Sequence, residues 1–314
     1  MSRLIAFGLL ILAAGCASGP RPLASSNAPF VLVLGIAQDG GLPQAGCRQP
    51  HCERAWADPR ERRMVSSLSI VDPESGERWI IDATPDFREQ LRRIEQVAPA
   101  RTGPALDGIF LTHAHIGHYA GLIHLGREVM GARQLPVYAM PRMEQFLRTN
   151  GPWEQLVILS NIELRSLAHR KPVRLNARIS VTPILVPHRD EYSETVGFVI
   201  EGPSSSVLYI PDIDKWEKWD TPIESVIGEV DIALLDGTFY GDGELPGRSM
   251  ADIPHPFIVE SLSRFSPLPM SERSKIHFIH LNHSNPALTR GGTARAEIEN
   301  TGSRVAEEGM RIDL

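Results

Sequence analysis

Short apolar runs alternate with longer amphipathic or polar stretches along most of the chain. Phe30-Val31-Leu32-Val33-Leu34-Gly35 is continuously apolar and of strand length, the pattern of a strand covered on both faces. Strands are also predicted at 67–71 and 78–82, joined by Pro73-Glu74-Ser75-Gly76, a composition that suits a hairpin turn. The same reading predicts strands at 108–111, 135–139, 179–186, 196–201, 207–210, 232–235 and 276–280. Between them, residues 86–97 carry Phe87, Leu91 and Ile94 at helical spacing, with Asp86 placed to cap the start. Helices are predicted at 121–128, from Pro141 onward, and near 222–227, 256–265 and 295–299. No repeat of fixed period and no low-complexity block interrupts this order. Strands mixed with helices in this way predict an α/β fold of two mixed sheets with helices outside, as one domain over residues 30–314.

The first 29 residues read differently. Arg3 precedes an apolar run over 4–14, which is shorter than the ~20 residues a membrane-spanning helix needs. Residues 1–15 therefore read as a secretory signal peptide. Leu12-Ala13-Ala14-Gly15-Cys16 resembles a bacterial lipobox, which implies cleavage before Cys16 and lipid on its thiol. A plain signal peptide that happens to contain a cysteine is the alternative. Residues 16–29, rich in Ser, Pro, Ala and Gly, read as a lipidated flexible tether. The expected location is extracytoplasmic, on a membrane-anchored lipoprotein at the periplasm or outer membrane face.

Composition narrows the function classes. The 314 residues are 42% hydrophobic and 22% charged, which excludes wholesale disorder. Lys+Arg 32 minus Asp+Glu 38 gives −6, which argues against a bulk electrostatic grip on nucleic acid. The expected partners are a small-molecule substrate and the membrane, reached through the lipid, with oligomeric state left open. Three cysteines are too few for a disulfide-built scaffold.

The histidines carry the chemistry. There are 11, and the densest group is Thr112-His113-Ala114-His115-Ile116-Gly117-His118, between an apolar strand and a helix. Side chains two apart in an extended segment point to the same side, so His113 and His115 can reach one metal together. His118 lies where the chain turns. His188 follows the strand at 179–186, Asp212 follows the strand at 207–210, and His280 ends the strand at 276–280. Imidazole and carboxylate donors delivered by separate strand ends are how hydrolytic metal sites are assembled. His124, His169 and His277 read as surface or core residues. His255, in Ile253-Pro254-His255-Pro256-Phe257, precedes a helix and is a candidate to line the pocket.

His113-x-His115-x-Gly117-His118 with His188, Asp212 and His280 resembles the H-x-H-x-D-H signature of the metallo-β-lactamase fold superfamily. Leu34-Gly35-Ile36-Ala37-Gln38-Asp39-Gly40-Gly41-Leu42-Pro43-Gln44, residues 82–86, 235–238 and 280–286 are similar to the pyrroloquinoline quinone biosynthesis protein B group, and also to cyclic phosphodiesterases of phosphonate metabolism. The resemblance covers about residues 30–314 and implies an αββα sandwich. It implies a first metal at His113, His115 and His188, a bridging Asp212, and a second metal at His118 and His280. Zinc is the expected ion, one or two per active site, with manganese or iron as alternatives. Gly117 departs from the signature, because glycine brings no donor where the family has aspartate. Three outcomes stay open: one metal, a weaker second metal, or another carboxylate in its place, with Asp39, Asp82 and Asp236 as candidates.

The same resemblance implies a structural zinc at Cys47, Cys52 and His283, with His51 as a candidate fourth ligand; a Cys47–Cys52 disulfide is the rival reading. The expected function is a metal-dependent hydrolase that uses activated water on an ester, lactone or phosphodiester, with Asp212 holding the nucleophile, a nearby acid serving the leaving group, and His255 as a second catalytic candidate beside Asp212. Two alternatives stand beside it: iron-dependent oxidation of a small precursor, as the biosynthesis-protein resemblance suggests, and a lipoprotein that binds metal or ligand without catalysis.

Overall fold

A computed structural model describes residues 27–314 except 101, 102, 246, 248 and 251. The signal peptide expected over 1–15, the lipidation residue Cys16 and most of the tether lie outside the described residues. No helix among the described residues is long and apolar enough to cross a membrane.

The strands run in chain order as β1 (Phe30–Gly35), β2 (Ser67–Val71), β3 (Arg78–Ile81), β4 (Gly108–Phe110), β5 (Leu135–Ala139), β6 (Ile162–Ser166), β7 (Val173–Arg174), β8 (Ser180–Leu185), β9 (Val196–Glu201), β10 (Ser206–Ile210), β11 (Ile232–Asp236), β12 (Ile276–Ile279), β13 (Arg304–Val305) and β14 (Arg311–Asp313). They form two seven-stranded sheets, β14-β1-β2-β3-β4-β5-β6 and β13-β12-β11-β10-β9-β8-β7. Each sheet is mixed. β1 pairs antiparallel with β14 and β2, and β2 with β3, whereas β3 to β6 are parallel. In the second sheet β10 to β13 are parallel and β7 to β10 antiparallel.

The continuous apolar run of β1 is explained by burial on both faces. Val31 and Val33 join the layer between the sheets, with Leu68, Ile70 and Phe110 from one side and Val181, Phe198 and Ile200 from the other. Phe30, Leu32 and Leu34 point outward, under Phe87 and Ile94 of the helix Phe87–Val97 and Met143 and Leu147 of the helix Pro141–Thr149. Beyond the second sheet, Ile223 and Ile227, Ile258 and Phe265, and Ile298 are supplied by three further helices. The layers are therefore helix, sheet, sheet, helix, as expected for the αββα sandwich.

Two local expectations are corrected. Asp86 precedes the helix Phe87–Val97 without capping it; its Oδ2 accepts from Val65 N at 2.7 Å instead, tying the helix start to the segment before β2. The helix expected at 121–128 begins earlier, as a short turn at Ile116–Tyr119 followed by a 3-10 segment at Ala120–Leu125. That early turn matters to the site, because His118 N donates to His115 O at 2.9 Å and folds His118 back over the two histidines before it.

Candidate metal centre

The strands that carry the chemistry end at one edge of the sandwich, and the chemistry-bearing residues lie just past those ends. β3 leads into Asp82, β4 into Thr112 and His113, β8 into His188, β10 into Asp212, and β12 into His280. His188 and Asp212 come from adjoining parts of the second sheet and face the histidine loop of the first.

Asp212 sits at the middle. Its Oδ2 is 3.3 Å from His113 Nε2, 3.6 Å from His118 Nε2 and 3.8 Å from His280 Nε2. Its Oδ1 is 3.3 Å from His188 Nε2 and 3.1 Å from His255 Nδ1. Donor atoms of His113, His115, His188 and Asp212 all lie within 4.8 Å of one another, as do those of Asp39, His118 and His280. The structure thus brings together all six residues expected at the active-site metals and adds Asp39 beside the second set.

The other ring nitrogens explain the orientation. His118 Nδ1 is 2.7 Å from Asp82 Oδ2, and His188 Nδ1 is 3.2 Å from Asp214 Oδ1. His113 Nδ1 is 3.0 Å from Thr112 Oγ1, which is itself 3.0 Å from Asp82. His280 Nδ1 is 3.0 Å from Thr238 Oγ1, which donates to Asp236 Oδ1 at 2.7 Å. The two sheets repeat one device: an aspartate holds a threonine hydroxyl, and the hydroxyl holds an imidazole. Outer partners of this kind fix the ring and its tautomer and leave Nε2 as the donor. His115 differs. Its Nε2 faces Glu191 Oε2 at 3.2 Å, which leaves Nδ1 for the cluster.

What the inner atoms lack is a partner. The Nε2 atoms of His113, His118, His188 and His280, with Asp212 Oδ1 and Asp39 Oδ1, are buried and make no hydrogen bond. An unpaired buried polar atom costs about 1–3 kcal/mol, so a convergent set of them is a strong requirement for a positive centre. Burial, with the neighbouring His118, holds His113 well below the usual imidazole range, and burial lowers His115 and His280 too. These rings therefore carry lone pairs at neutral pH. Burial disfavours the charged forms of Asp212 and His118, but their partners outweigh it. His188, His280 and His255 hold Asp212 well below the usual carboxylate range, while Asp82 and Asp212 hold His118 well above its own. The donor set, buried imidazoles converging on a carboxylate, fits a divalent metal.

His255 is inside the cluster but is no simple ligand. Its Nδ1 is 2.8 Å from Asp236 Oδ2, and although burial opposes its charge, Asp236 and Asp212 push it up to about 9. Asp82 and Asp236 are both spoken for. Asp82 Oδ1 accepts from Thr112 N at 2.9 Å; Asp236 accepts from Thr238 N at 2.8 Å and from Ile213 N at 3.1 Å. Both orient other groups, and Asp236 also shares a set of donor atoms within 4.8 Å with Asp212 and His255. Asp214 and the two threonines were not singled out in the sequence; the signal available was Asp212-x-Asp214 just past a strand, where alternate residues share a side. His124, His169 and His277 stay apart: His124 stacks on Phe87, His169 accepts from Leu185 N, and His277 lies by Lys275 O.

A second constellation lies beside the first. Donor atoms of Cys47, His51, Cys52 and His283 lie within 4.8 Å of one another. Both cysteines are free thiols, not a disulfide. His51, a candidate fourth ligand in the sequence, joins the other three, with its Nε2 3.6 Å from Cys47 Sγ.

The description "Beta-lactamase superfamily domain" matches residues 77–280, and the chain belongs to that superfamily, on the metallo-β-lactamase fold. Within it the chain is similar to coenzyme PQQ synthesis protein B: 28% identical to that of a Methylobacterium species and 29% to that of Methylorubrum populi, in each case over 90% of this chain and 99% of the relative. The solved structure of Zn2+-bound PqqB from Methylobacterium extorquens covers 91% of this chain and 100% of its own, with a TM-score of 0.77 and 25% identity. A diphosphatase from the PhnP family shares the fold, with a TM-score of 0.61 at 24% identity over 91% of this chain and 97% of its own.

Proposed function

We propose that the protein is a metal-dependent hydrolase that activates water against an ester, lactone or phosphodiester, with zinc as its ion. The observation that carries this reading is the convergence of unpartnered imidazole nitrogens from three strand ends onto Asp212. His113, His115 and His188 would hold one ion with Asp212, and His118 and His280 would serve a second. Divalent metal held there supplies Lewis acidity, bringing the pKa of coordinated water toward ~7 and offsetting charge that develops on the substrate.

The chain's own residues do the rest. Asp212 supplies the fixed negative charge against which the imidazoles are arranged. Asp82, Asp214, Thr112 and Thr238 keep the rings from turning, so no reorganisation is needed as the reaction proceeds. His255 is cationic at neutral pH and lies against Asp212, which places an acid beside the reacting centre to protonate the leaving group. Most of the cluster is closed to water. Solvent reaches it past His115, 16% exposed, and Asp39, 36% exposed.

The test is the zinc-loaded protein on a panel of phosphodiesters and lactones, with His255→Ala alongside. Turnover should vanish on chelation. The variant should lose about 10²–10⁴-fold on substrates with poor, alkoxide-like leaving groups and much less on nitrophenyl esters, which leave without a proton. Equal losses on both would remove His255 from this role, and an inert panel would remove the hydrolase reading.

A second reading has one specific observation in its favour, the similarity over 90% of the chain to coenzyme PQQ synthesis proteins. It supports a step in coenzyme synthesis, with iron at the same mixed histidine and carboxylate donors. Stoichiometric iron after anaerobic purification, with no hydrolysis of the panel, would favour it. The cage of Cys47, His51, Cys52 and His283 we assign to a structural zinc. We also place the domain outside the cytoplasm on a lipid at Cys16, a reading that rests on the N-terminal sequence. Cys16→Ser should abolish incorporation of labelled palmitate, and unchanged labelling would reject the anchor.

A further inference from the structure

We propose that Asp39 is the carboxylate missing at Gly117: the second ion is held by Asp39, His118 and His280 with Asp212, and the signature aspartate has in effect moved from the histidine loop to the loop after β1. The inference rests on the metal reading above and goes past it in assigning a ligand that the superfamily signature does not contain.

The space at residue 117 is already occupied by Asp39. A Cβ built on Gly117 would lie 2.1 Å from Asp39 Oδ1 and 2.6 Å from Asp39 Cα. The second distance is to backbone, so no rotation of the Asp39 side chain relieves it. A side chain at 117 and Asp39 in its present position exclude each other. Gly117 is thus more than a lost donor; it is what allows another donor in.

The position of Asp39 is built rather than incidental. Gln38 N donates to Leu281 O at 2.8 Å, and Gly41 N donates to Gln38 O at 2.8 Å. Ala37 bridges both Val65 and Leu281. The loop that carries Asp39 is therefore fastened to the residue after His280. Asp39 Oδ1 is buried without a hydrogen-bond partner and lies 3.6 Å from His118 Nε2, whose ring is fully buried and whose Nε2 is also unpartnered. The unpartnered Nε2 of His280 completes the group within 4.8 Å. A carboxylate oxygen and two imidazole nitrogens, all buried without hydrogen-bond partners and converging on one space, are the donor types a cation between them would stabilise. Asp82 and Asp236, the rival carboxylates, use their oxygens on backbone N–H groups, on threonine hydroxyls and on the rings of His118 and His255.

Two substitutions test this by separate routes, read as zinc ions bound per chain after equilibrium dialysis rather than as activity. Asp39→Asn keeps the shape and removes the charge. Gly117→Ala keeps every donor residue in the chain but adds one methyl group where Asp39 sits, and so displaces Asp39. Each should bind one ion fewer than the parent, with affinity at the second position lowered by at least about 100-fold. The metal-free melting profile of Asp39→Asn should match the parent, which separates lost binding from lost fold. An Asp39→Asn chain with the parent's ion count and affinities overturns the assignment, as does a parent that holds a single ion among these histidines. A parent that holds none there overturns the metal reading itself, and this inference with it.

Discussion

Asp212→Ala will empty both ion positions and lower hydrolysis by about 10³-fold or more. The reason is geometric. Asp212 is the acid that reaches rings of both sets, at 3.3 Å from His113 and His188, 3.6 Å from His118 and 3.8 Å from His280. It is also buried, so its charge is poorly screened and the imidazoles around it have been arranged to favour the ionised form. Alanine leaves His113, His115 and His188 with no anion among them, and His118 and His280 with Asp39 alone. It should leave the strand itself alone, because Ile210 of β10 remains registered against Leu235 of β11. Asp212→Asn should fall between alanine and the parent, since an amide oxygen can still coordinate but brings no charge. Metal counting and kcat/KM in excess zinc check both variants. Recovery of parental kcat/KM by alanine at high zinc would mean that Asp212 is peripheral, and would undo the description of the centre.

Where the sequence was legible, the cause was burial on two faces or a sharp chemical motif. β1, β5 and β9 were expected at the bounds they have, because each is a short, mostly apolar run of strand length, closed by Gly35, by Pro141 two residues on, and by Glu201 respectively. β6 was not foreseen. It is the outermost strand of its sheet, and Glu163, Arg165 and Ser166 are exposed, which breaks the apolar pattern. The two-residue strands β7 and β13 are too short to carry any periodicity. The helix Pro50–Ala57 was hidden for another reason: it has only Cys52 and Ala55 buried, and its first turn is devoted to His51 and Cys52. The six expected ligands of the active-site metals announced themselves by their strand-end positions. Asp39 was one of three candidate carboxylates, with Asp82 and Asp236, and the sequence does not separate them, since the relation of Asp39 to Gly117 is a matter of which atoms fill one space. Asp86 failed as a cap because a tertiary acceptor role, toward Val65 N, competes with the local one.

Cys47→Ser or Cys52→Ser will remove one zinc and lower the melting temperature by about 6–12 °C, on the order of 3 kcal/mol, for a chain of this size. Burial, with the adjacent Cys47 thiol, pushes Cys52 up to about 11, so a thiolate at that position needs a cation to form. His283 is held by Asn282, whose Oδ1 is 2.8 Å from its Nδ1, and it shares a set of donor atoms within 4.8 Å with the thiols and His51. An ion there would clip the loop that ends in the helix Pro50–Ala57 to the turn after β12. Those two segments also carry Asp39 and His280, so the cage and the active centre share their supports. Loss of the cage should therefore weaken the second ion as well, although neither cysteine reaches it. The rival disulfide predicts otherwise. With zinc, both thiols react with a thiol reagent once a chelator is added, and no reductant is required; with a disulfide they react only after reduction. A serine variant with parental zinc content and an unshifted melt would show that these four side chains meet without an ion to hold.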